Sequence, residues 1–408
     1  MISEKKKNRQ KREVHEVHKY FDFMEETKKI LSPFVFFVFF VVLIFSCTKD
    51  KTSPADKTAI KPADWTISRG SPQLTGYADA ELNGEIKIKW TMDLDDVMIS
   101  APVISDGILY AASQNGSVYA VLLENRTVKW KKTFEDSFES SPVFLDNSLY
   151  LGSLGGLFFR LDSLDGSVVW QAEIGTRIAG SANILPADRQ FIFFGCYDSG
   201  FYSVDTDSGK IRGSLQAESY INGTPAADEN ILAFGSCDGN LYIADGLKDE
   251  KETVFEFGNY IAGSPLIQNG TVTAAAYNGM IKSYDLETKK LLWEWQEPSN
   301  GAFVASPSSD GRLIVTGNKN GTVYALDAWS GQLAWEFKCG GGIEASALIA
   351  GDKVFIGSAD GYLYIIDLNN GKEITSFAMD GIPYSASAWY NGNVYTITDK
   401  GVIYCMGL

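Results

Sequence analysis

Aspartates recur at regular spacing through most of this chain, and a ring of carboxylates is one way to hold a metal ion. The series is Asp162, Asp205, Asp245, Asp285, Asp327 and Asp367. Each follows a short run of β-forming residues and precedes a turn, where its carboxylate can accept hydrogen bonds from the turn backbone. A set of ligands for one ion would not recur in every unit. We therefore interpret the series as structural and assign it no metal-binding or catalytic role.

The positions of the histidines and cysteines exclude several kinds of catalytic and metal site. The only histidines, His15 and His18, precede residue 65, so the rest of the chain offers no histidine base, no Ser-His-Asp triad and no histidine metal ligand. Cysteine occurs at positions 47, 196, 237, 339 and 405, with no Cys-x-x-Cys pair to indicate a zinc or redox motif. Cys196 and Cys237 hold similar places in neighbouring units. Their spacing leaves open both a disulfide and free thiols.

Two sets of residues recur in register and reveal internal repeats. The first set is Gly116, Gly156, Ser199, Gly239, Gly279, Gly321, Gly361 and Gly401. The second set is Pro102, Pro142, Ala182, Pro225, Pro265, Pro307, Ala347 and Ser387. Both sets advance by 40 residues, apart from one step of 43 and one of 42. The chain therefore contains eight similar units.

Each unit consists of short β-branched or aromatic runs separated by Asn-Gly or Asp-Gly pairs, which suit two-residue hairpin turns. Four strands in about 40 residues are typical of a propeller blade. We predict an all-β fold, an eight-bladed β-propeller of four-stranded blades. The chain ends after the third strand of unit eight, and a spare strand at about 86–92 precedes unit one. We predict that this strand completes the last blade and closes the ring, which removes the exposed sheet edge.

An aromatic series predicts the last strand of each blade, and a series of small residues predicts the crowded strand nearest the axis. The aromatic residues are Trp90, Trp130, Trp170, Phe255, Trp293, Trp335 and Phe377, and the unit around Arg212 lacks one. The small residues are Ser141, Gly180, Gly223, Ser264, Ser306 and Ser346.

Residues 1–47 indicate export. A basic segment precedes the apolar run 34–45, which is short for a membrane span and suits the core of a signal peptide. Ile44 to Cys47 resembles a bacterial lipobox, so we predict lipidation of Cys47; an uncleaved signal anchor is the alternative. A start at Met24 would give a signal of ordinary length, so Met1 and Met24 both stay open as start sites. Residues 48–64 form a predicted flexible linker, and 65–408 the propeller.

The net charge and the segments that depart from the repeat both indicate which molecules the chain could bind. Residues 48–408 hold 27 basic and 45 acidic side chains, and this acidity is a poor match for nucleic acid. Departures from the repeat occur at Arg177, 185–190, 247–253 and 296–301. Because extra loop residues on a rigid scaffold often form binding surfaces, these are candidate contact regions.

The repeat resembles that of quinoprotein, or PQQ-like, propellers. The matching pattern includes Asp327, Gly331 and Trp335 in ALDAWSGQLAW, and Asp162, Gly166 and Trp170 in RLDSLDGSVVW. The leading segment 65–76 is also similar to that family. The resemblance implies either a quinone-dependent dehydrogenase or a non-catalytic, lipid-anchored scaffold similar to the BamB-like outer-membrane assembly lipoproteins. The sequence lacks the adjacent cysteines and the calcium ligands that many of the dehydrogenases carry.

These observations favour a non-enzymatic scaffold without a bound cofactor. The resemblance implies protein partners, including the barrel-assembly machinery, and a periplasmic or cell-surface location on the outer membrane. Two alternatives stay open, a PQQ-dependent oxidoreductase and a propeller that binds a carbohydrate or another small ligand at its axis.

Overall fold

Short strands joined by tight turns follow one another along the chain, as the repeat predicts. The computed structural model describes residues 64–408; the predictions for Cys47 and the rest of 1–63 lie outside this part of the chain. Before the first blade come β1 (Tyr77–Ala78) and β2 (Lys87–Asp93). Blade 1 contains β3 (Val103–Ser105), β4 (Ile108–Ala112), β5 (Ser117–Leu122) and β6 (Thr127–Thr133). Blade 2 contains β7 (Val143–Leu145), β8 (Ser148–Gly152), β9 (Leu157–Asp162) and β10 (Val168–Glu173).

The next four blades repeat the same order of strands. Blade 3 contains β11 (Asn183–Ile184), β12 (Phe191–Gly195), β13 (Gly200–Asp205) and β14 (Ile211–Gln216). Blade 4 contains β15 (Ala226–Asp228), β16 (Ile231–Gly235), β17 (Asn240–Asp245) and β18 (Glu250–Glu256). Blade 5 contains β19 (Leu266–Gln268), β20 (Thr271–Ala275), β21 (Met280–Asp285) and β22 (Leu291–Gln296). Blade 6 contains β23 (Ser308–Ser309), β24 (Leu313–Gly317), β25 (Thr322–Asp327) and β26 (Leu333–Lys338).

The last two blades complete the ring. Blade 7 contains β27 (Leu348–Ala350), β28 (Lys353–Gly357), β29 (Tyr362–Asp367) and β30 (Glu373–Ala378). Blade 8 contains β31 (Ala388–Tyr390), β32 (Asn393–Ile397) and β33 (Val402–Gly407), and β2 pairs antiparallel with β33 as its fourth strand. The predicted eight-bladed propeller and its closing strand are therefore confirmed, with the strand at Lys87–Asp93. First strands of neighbouring blades contact one another, including β3 with β31 across the closure.

The turns between second and third strands differ from the prediction. They are three-residue loops, and only the last residue has a positive φ; it is glycine in every blade except blade 3, where it is Ser199. In blade 1 the Gly116 N–H donates to the Ser113 carbonyl at 3.2 Å, and Ser113 N–H donates to the Ser117 carbonyl at 2.8 Å. This is a type I turn followed by one left-handed residue, with φ +83° at Gly116. A Cβ there would lie 2.2 Å from the Asp136 carbonyl oxygen, so close backbone contact also requires glycine.

Tryptophans of the fourth strands join blades 1, 2, 5 and 6 to the blade that follows each of them. Trp335 Nε1 donates to the Leu368 carbonyl at 2.7 Å, and Trp293 Nε1 donates to the Ala328 carbonyl at 2.9 Å. The acceptor in each case follows the repeat aspartate of the next blade. A Cβ on Gly331 would lie 2.5 Å from the Trp293 ring, so this turn glycine makes room for the indole of the preceding blade. Trp130 and Trp170 make equivalent bonds to Ser163 and Thr206.

The repeat aspartates sit where β-strands end and hold the following turn. Asp327 Oδ1 accepts from the Ser330 N–H and the Ser330 hydroxyl, each at 2.8 Å. These bonds lower the pKa of Asp327. Asp162 Oδ1 accepts from the Leu164 N–H at 2.8 Å, and its carbonyl accepts from the Gly166 N–H. The carboxylates are thus engaged with their own turns.

Two members of the aromatic series do not occupy the repeat position of the tryptophans. Trp335 pairs with Ala325, two residues before the repeat aspartate. The residue paired with the equivalent position is Thr253 in blade 4 and Thr375 in blade 7. Phe255 and Phe377 lie two residues further along the same strands. All seven aromatic residues therefore lie on fourth strands, as predicted. The two-residue offset was not predicted, because residues two apart point to the same face of a strand and the bulge shifts the register.

Blade 3 replaces the tryptophan by an ion pair. Gly213 holds the tryptophan position, and the neighbouring Arg212 donates to both oxygens of Asp249 at 2.7 Å and to the Gly246 carbonyl. Gly246 follows the repeat aspartate Asp245, so its carbonyl is the same acceptor that indoles use elsewhere. Asp249 stands where blades 2, 3, 6 and 7 have the turn glycine. A charged pair has therefore replaced the tryptophan–glycine contact at this blade interface.

The small residues predicted on the innermost strands lie just before them instead. The serines of this set link neighbouring blades through their hydroxyl groups. Ser264 Oγ accepts from the Thr224 N–H at 2.9 Å, and Ser306 Oγ accepts from the Ser264 N–H at 2.8 Å. Crowding at the axis explains both the small side chains and the direct bonds between blades.

The cysteines at 196, 237, 339 and 405 are free, so the disulfide alternative is wrong for the structure.

A strap formed by residues 65–78 crosses one end of the ring and binds seven blades in order. Backbone N–H groups of the first strands donate to its carbonyls: Phe144 to Thr66, Ala227 to Pro72, Ile267 to Gln73, Ser309 to Thr75 and Ile349 to Gly76, all at 2.8–3.0 Å. Trp65 exchanges two bonds with Ile104 of blade 1, and Asn183 of blade 3 donates to Pro72. Ile67 and Leu74 are fully buried, so the strap is part of the core.

Candidate protein-binding face

The antiparallel blades give the ring two different faces. The strap lies on the face that carries the turns between first and second strands and between third and fourth strands; we call this the strapped face. The opposite face, here the open face, carries the second-to-third turns and the loops that lead from one blade to the next. The strap lies against the first strands at this face, with Ile67 and Leu74 fully buried.

Four tyrosines form an arc on the open face across blades 3 to 5. The tyrosine arc is Tyr197, Tyr220, Tyr260 and Tyr277. The rings of Tyr197 and Tyr220 stack at 4.9 Å between centroids, and those of Tyr260 and Tyr277 lie 5.0 Å apart. Tyr220, Tyr260 and Tyr277 are 51%, 45% and 38% exposed. Exposed, preorganised tyrosines are the side chains that protein interfaces favour, because they offer large contact area at low entropic cost.

The local fold explains why the tyrosines meet. Tyr197 and Tyr277 begin second-to-third turns, while Tyr220 and Tyr260 lie in the loops between blades. In each blade the turn residue donates its N–H to a carbonyl in the adjacent loop: Tyr197 to Arg177, Cys237 to Tyr220 and Tyr277 to Tyr260, at 2.8–3.1 Å. These backbone bonds bring turn and loop side chains together at every blade interface.

An ion pair lies near each end of the arc. Arg177 lies over the Tyr197 ring at 5.0 Å and donates to Glu139 at 2.5 Å. At the other end, Lys319 contacts Glu344 at 2.9 Å, with both side chains about two-fifths exposed. The hydrogen bond that Lys319 donates to Glu344 raises the pKa of Lys319, so this side chain stays charged at neutral pH. The face therefore combines aromatic area with both signs of charge.

The titratable groups of this face do not indicate catalysis. Burial raises the pKa of the Tyr197 hydroxyl. Burial likewise raises the pKa of Cys237, whose sulfur accepts from Asn222 Nδ2 at 3.2 Å. The phenol and the thiol thus stay protonated at neutral pH and neither is an activated nucleophile. The arrangement suits binding better than chemistry.

Of the irregular segments that the sequence indicated, two lie on this face. Arg177 forms part of the site. The loop 296–301 is held by its own Glu297, which accepts from Tyr324 at 2.7 Å and Gly301 at 2.5 Å. The segments 185–190 and 247–253 lie on the strapped face. The tyrosine arc was not predicted, although Tyr220 and Tyr260 are separated by the 40-residue step of the repeat.

Other parts of the described chain add no further site. Within residues 64–408 no helix is long and apolar enough to cross a membrane. In that same range no three His, Cys, Asp or Glu side chains are grouped so that they could hold a metal ion.

Comparison with known proteins identifies a family match over most of the ring. The family model described as "Outer membrane protein assembly factor BamB" matches residues 83–245, 225–337 and 281–404. A protein of that name from Taylorella asinigenitalis (strain MCE3) is 26% identical over 145 residues, which is 35% of each chain. The alignment thus spans about a third of that relative's length.

Solved structures share the fold. The crystal structure of BamB from Moraxella catarrhalis superposes with a TM-score of 0.69 at 18% identity, covering 80% of this chain and 98% of that one. A europium-containing methanol dehydrogenase superposes with a TM-score of 0.76 at 10% identity, covering 86% and 99%. At these identities the likeness is one of fold alone.

Proposed function

Because the chain belongs to the family described as outer membrane protein assembly factor BamB, we propose that it is an exported scaffold that binds other proteins during assembly of outer-membrane β-barrel proteins. The observation that carries this proposal is the tyrosine arc, a preorganised aromatic surface on the face that the strap leaves open. Paired charges beside the arc supply the polar rim that protein interfaces usually have.

A quinone-dependent reaction does not fit the residues present. In residues 64–408 no three acidic side chains are grouped to hold a calcium ion, and no two cysteines are adjacent. The two glutamates near the arc, Glu139 and Glu344, are already paired with basic side chains. We therefore propose a non-enzymatic protein without a quinone. Stoichiometric uptake of the quinone with calcium, together with dye-linked alcohol oxidation, would contradict this.

The proposed location follows from the sequence before the strap. Lipid on Cys47 and a linker to residue 64 would tether the ring to a membrane outside the cytoplasm. We expect Cys47→Ser to move most of the protein from the washed membrane fraction to the soluble fraction, because one residue carries the anchor. Fractionation with immunoblotting measures this. A Cys47→Ser protein that stays in the membrane would instead support an uncleaved signal anchor.

The open face is testable by partner recovery. We expect the double substitution Tyr220→Ala and Tyr260→Ala to lower recovery of barrel-assembly components about tenfold or more, because interface tyrosines commonly contribute above 1 kcal/mol each. The measurement is affinity purification from native membranes in mild detergent, read by quantitative mass spectrometry.

A matched control comes from the opposite face. Trp329, 62% exposed, lies in a third-to-fourth turn of the strapped face, so Trp329→Ala removes an exposed aromatic without touching the arc. Recovery should stay near the unsubstituted level. Equal losses in both variants would refute the assignment of the open face, and absence of barrel-assembly components from every sample would refute the assembly role.

A further inference from the structure

The guanidinium of Arg69 is buried inside the ring, and no acidic side chain balances its charge. Arg69 begins a loop of the strap whose ends meet, since the Gly76 N–H donates to the Arg69 carbonyl at 3.1 Å. Its side chain reaches blade 6, where Nη2 donates to the Pro307 carbonyl and to Ser308 Oγ at 3.4 Å. Only 3% of the residue is exposed.

Two of the three guanidinium nitrogens lack a protein partner. Within the described chain, neither Nε nor Nη1 of Arg69 makes a hydrogen bond to protein, although both are shielded from solvent. Burial alone lowers the pKa of Arg69 to about 9, and no carboxylate contributes. The group is therefore still a cation at neutral pH. A buried cation without a counter-charge is strongly disfavoured, as are buried donors without acceptors.

Polar groups of the surrounding wall are already engaged. The Ser308 hydroxyl donates to the Ala347 carbonyl at 2.7 Å. On the other side of the strap, Asn183 Nδ2 donates to the carbonyls of Pro72 and Pro225, and its oxygen accepts from the Ile184 N–H. These contacts leave the free N–H groups of Arg69 without a protein acceptor. Water would satisfy the hydrogen bonds but not the charge.

We infer that Arg69 forms a binding site for a small inorganic anion of chloride size, enclosed between the strap and the first strands. The anion accepts from the unpaired N–H groups and neutralises the guanidinium, so it acts as a structural ion that secures the strap. This site is separate from the tyrosine arc and does not depend on the proposed scaffold function. Because only 3% of Arg69 is exposed, we expect larger organic anions to be excluded from this site.

Bromide provides a direct probe, because it replaces chloride and scatters anomalously. Crystals of the full-length protein soaked in sodium bromide should show an anomalous peak within hydrogen-bonding distance of Arg69 Nε or Nη1. Ordered water alone at these nitrogens, with bromide only on the outer surface, would overturn the inference. This experiment needs no substitution, so it stays decisive even if Arg69 variants fail to fold.

The dependence of folding stability on chloride concentration provides the second measurement. An ion that binds only the folded state stabilises it in proportion to ln(1 + [L]/Kd), so above Kd each tenfold rise in chloride should lower the unfolding constant about tenfold. Ionic strength is held constant with gluconate, which is too large for the enclosure. Arg69→Met should abolish the chloride dependence, whereas Arg312→Met, at an exposed arginine paired with Asp310, should keep it. The same dependence in both variants would contradict the assignment.

Discussion

Replacing Trp335 by alanine should lower the free energy of unfolding by about 3–5 kcal/mol, the range for large aromatic deletions from a core. The indole is buried between blades 6 and 7, and its N–H donates to the Leu368 carbonyl at 2.7 Å. Both the packing and the bond between blades disappear in the variant. Urea unfolding followed by circular dichroism gives the difference. Trp335→Phe should cost less, since it keeps most of the aromatic contact.

Thr375 provides the control for this prediction. It holds the same repeat position in blade 7, where the pairing partner is Ile365. Thr375→Ala removes no large interblade side chain and should change the free energy of unfolding by less than about 1 kcal/mol. A loss of similar size in both variants would mean that the position itself, rather than the tryptophan contact, determines stability.

Shortening Ile67 to alanine should weaken the strap and lower the free energy of unfolding by about 2–5 kcal/mol. Ile67 is fully buried where the strap enters the ring. The strap is hydrogen-bonded to seven blades, so its loosening should also expose the backbone N–H groups that donate to it. Hydrogen exchange read by mass spectrometry should show faster exchange at Ile267, Ser309 and Ile349, whose N–H groups donate to the strap.

Glu81 is the matched control for the strap. It lies exposed just beyond residues 65–78, so Glu81→Ala alters the same part of the chain without removing a buried contact. Its stability and exchange should remain close to those of the unsubstituted protein. If Ile67→Ala left exchange at the three amides unchanged, the strap would not be a stabilising element of the ring.

Much of the architecture was predictable because its signals are local and repeated. Turn glycines such as Gly116, and aspartates such as Asp327, mark the same backbone geometry in successive units. Counting strands at the chain ends was enough to predict that β2 joins β33, because an open ring would leave two exposed sheet edges. The absence of histidine beyond His18 likewise limits the chemistry open to the ring, and composition alone shows it.

Register and non-repeating contacts were not predictable in the same way. Whether Phe377 or Thr375 occupies the repeat position of the tryptophans depends on a one-residue bulge, which leaves no clear mark in the sequence. The exchange of a tryptophan–glycine contact for Arg212 and Asp249 involves residues 37 positions apart on different blades. Such pairs can be recognised only when the positions of neighbouring blades are known.

The number of blades, the order of strands and the closing strand follow from periodic local preferences, so they can be predicted from the sequence. Which side chains form the two faces becomes clear only in the folded ring. The strap lies far from most of its partners along the chain, and Arg69 meets Ser308 across 239 positions. The tyrosine arc likewise joins loops and turns of separate blades. Contacts of this kind depend on closure of the ring, which brings distant segments together and is not encoded in any single repeat.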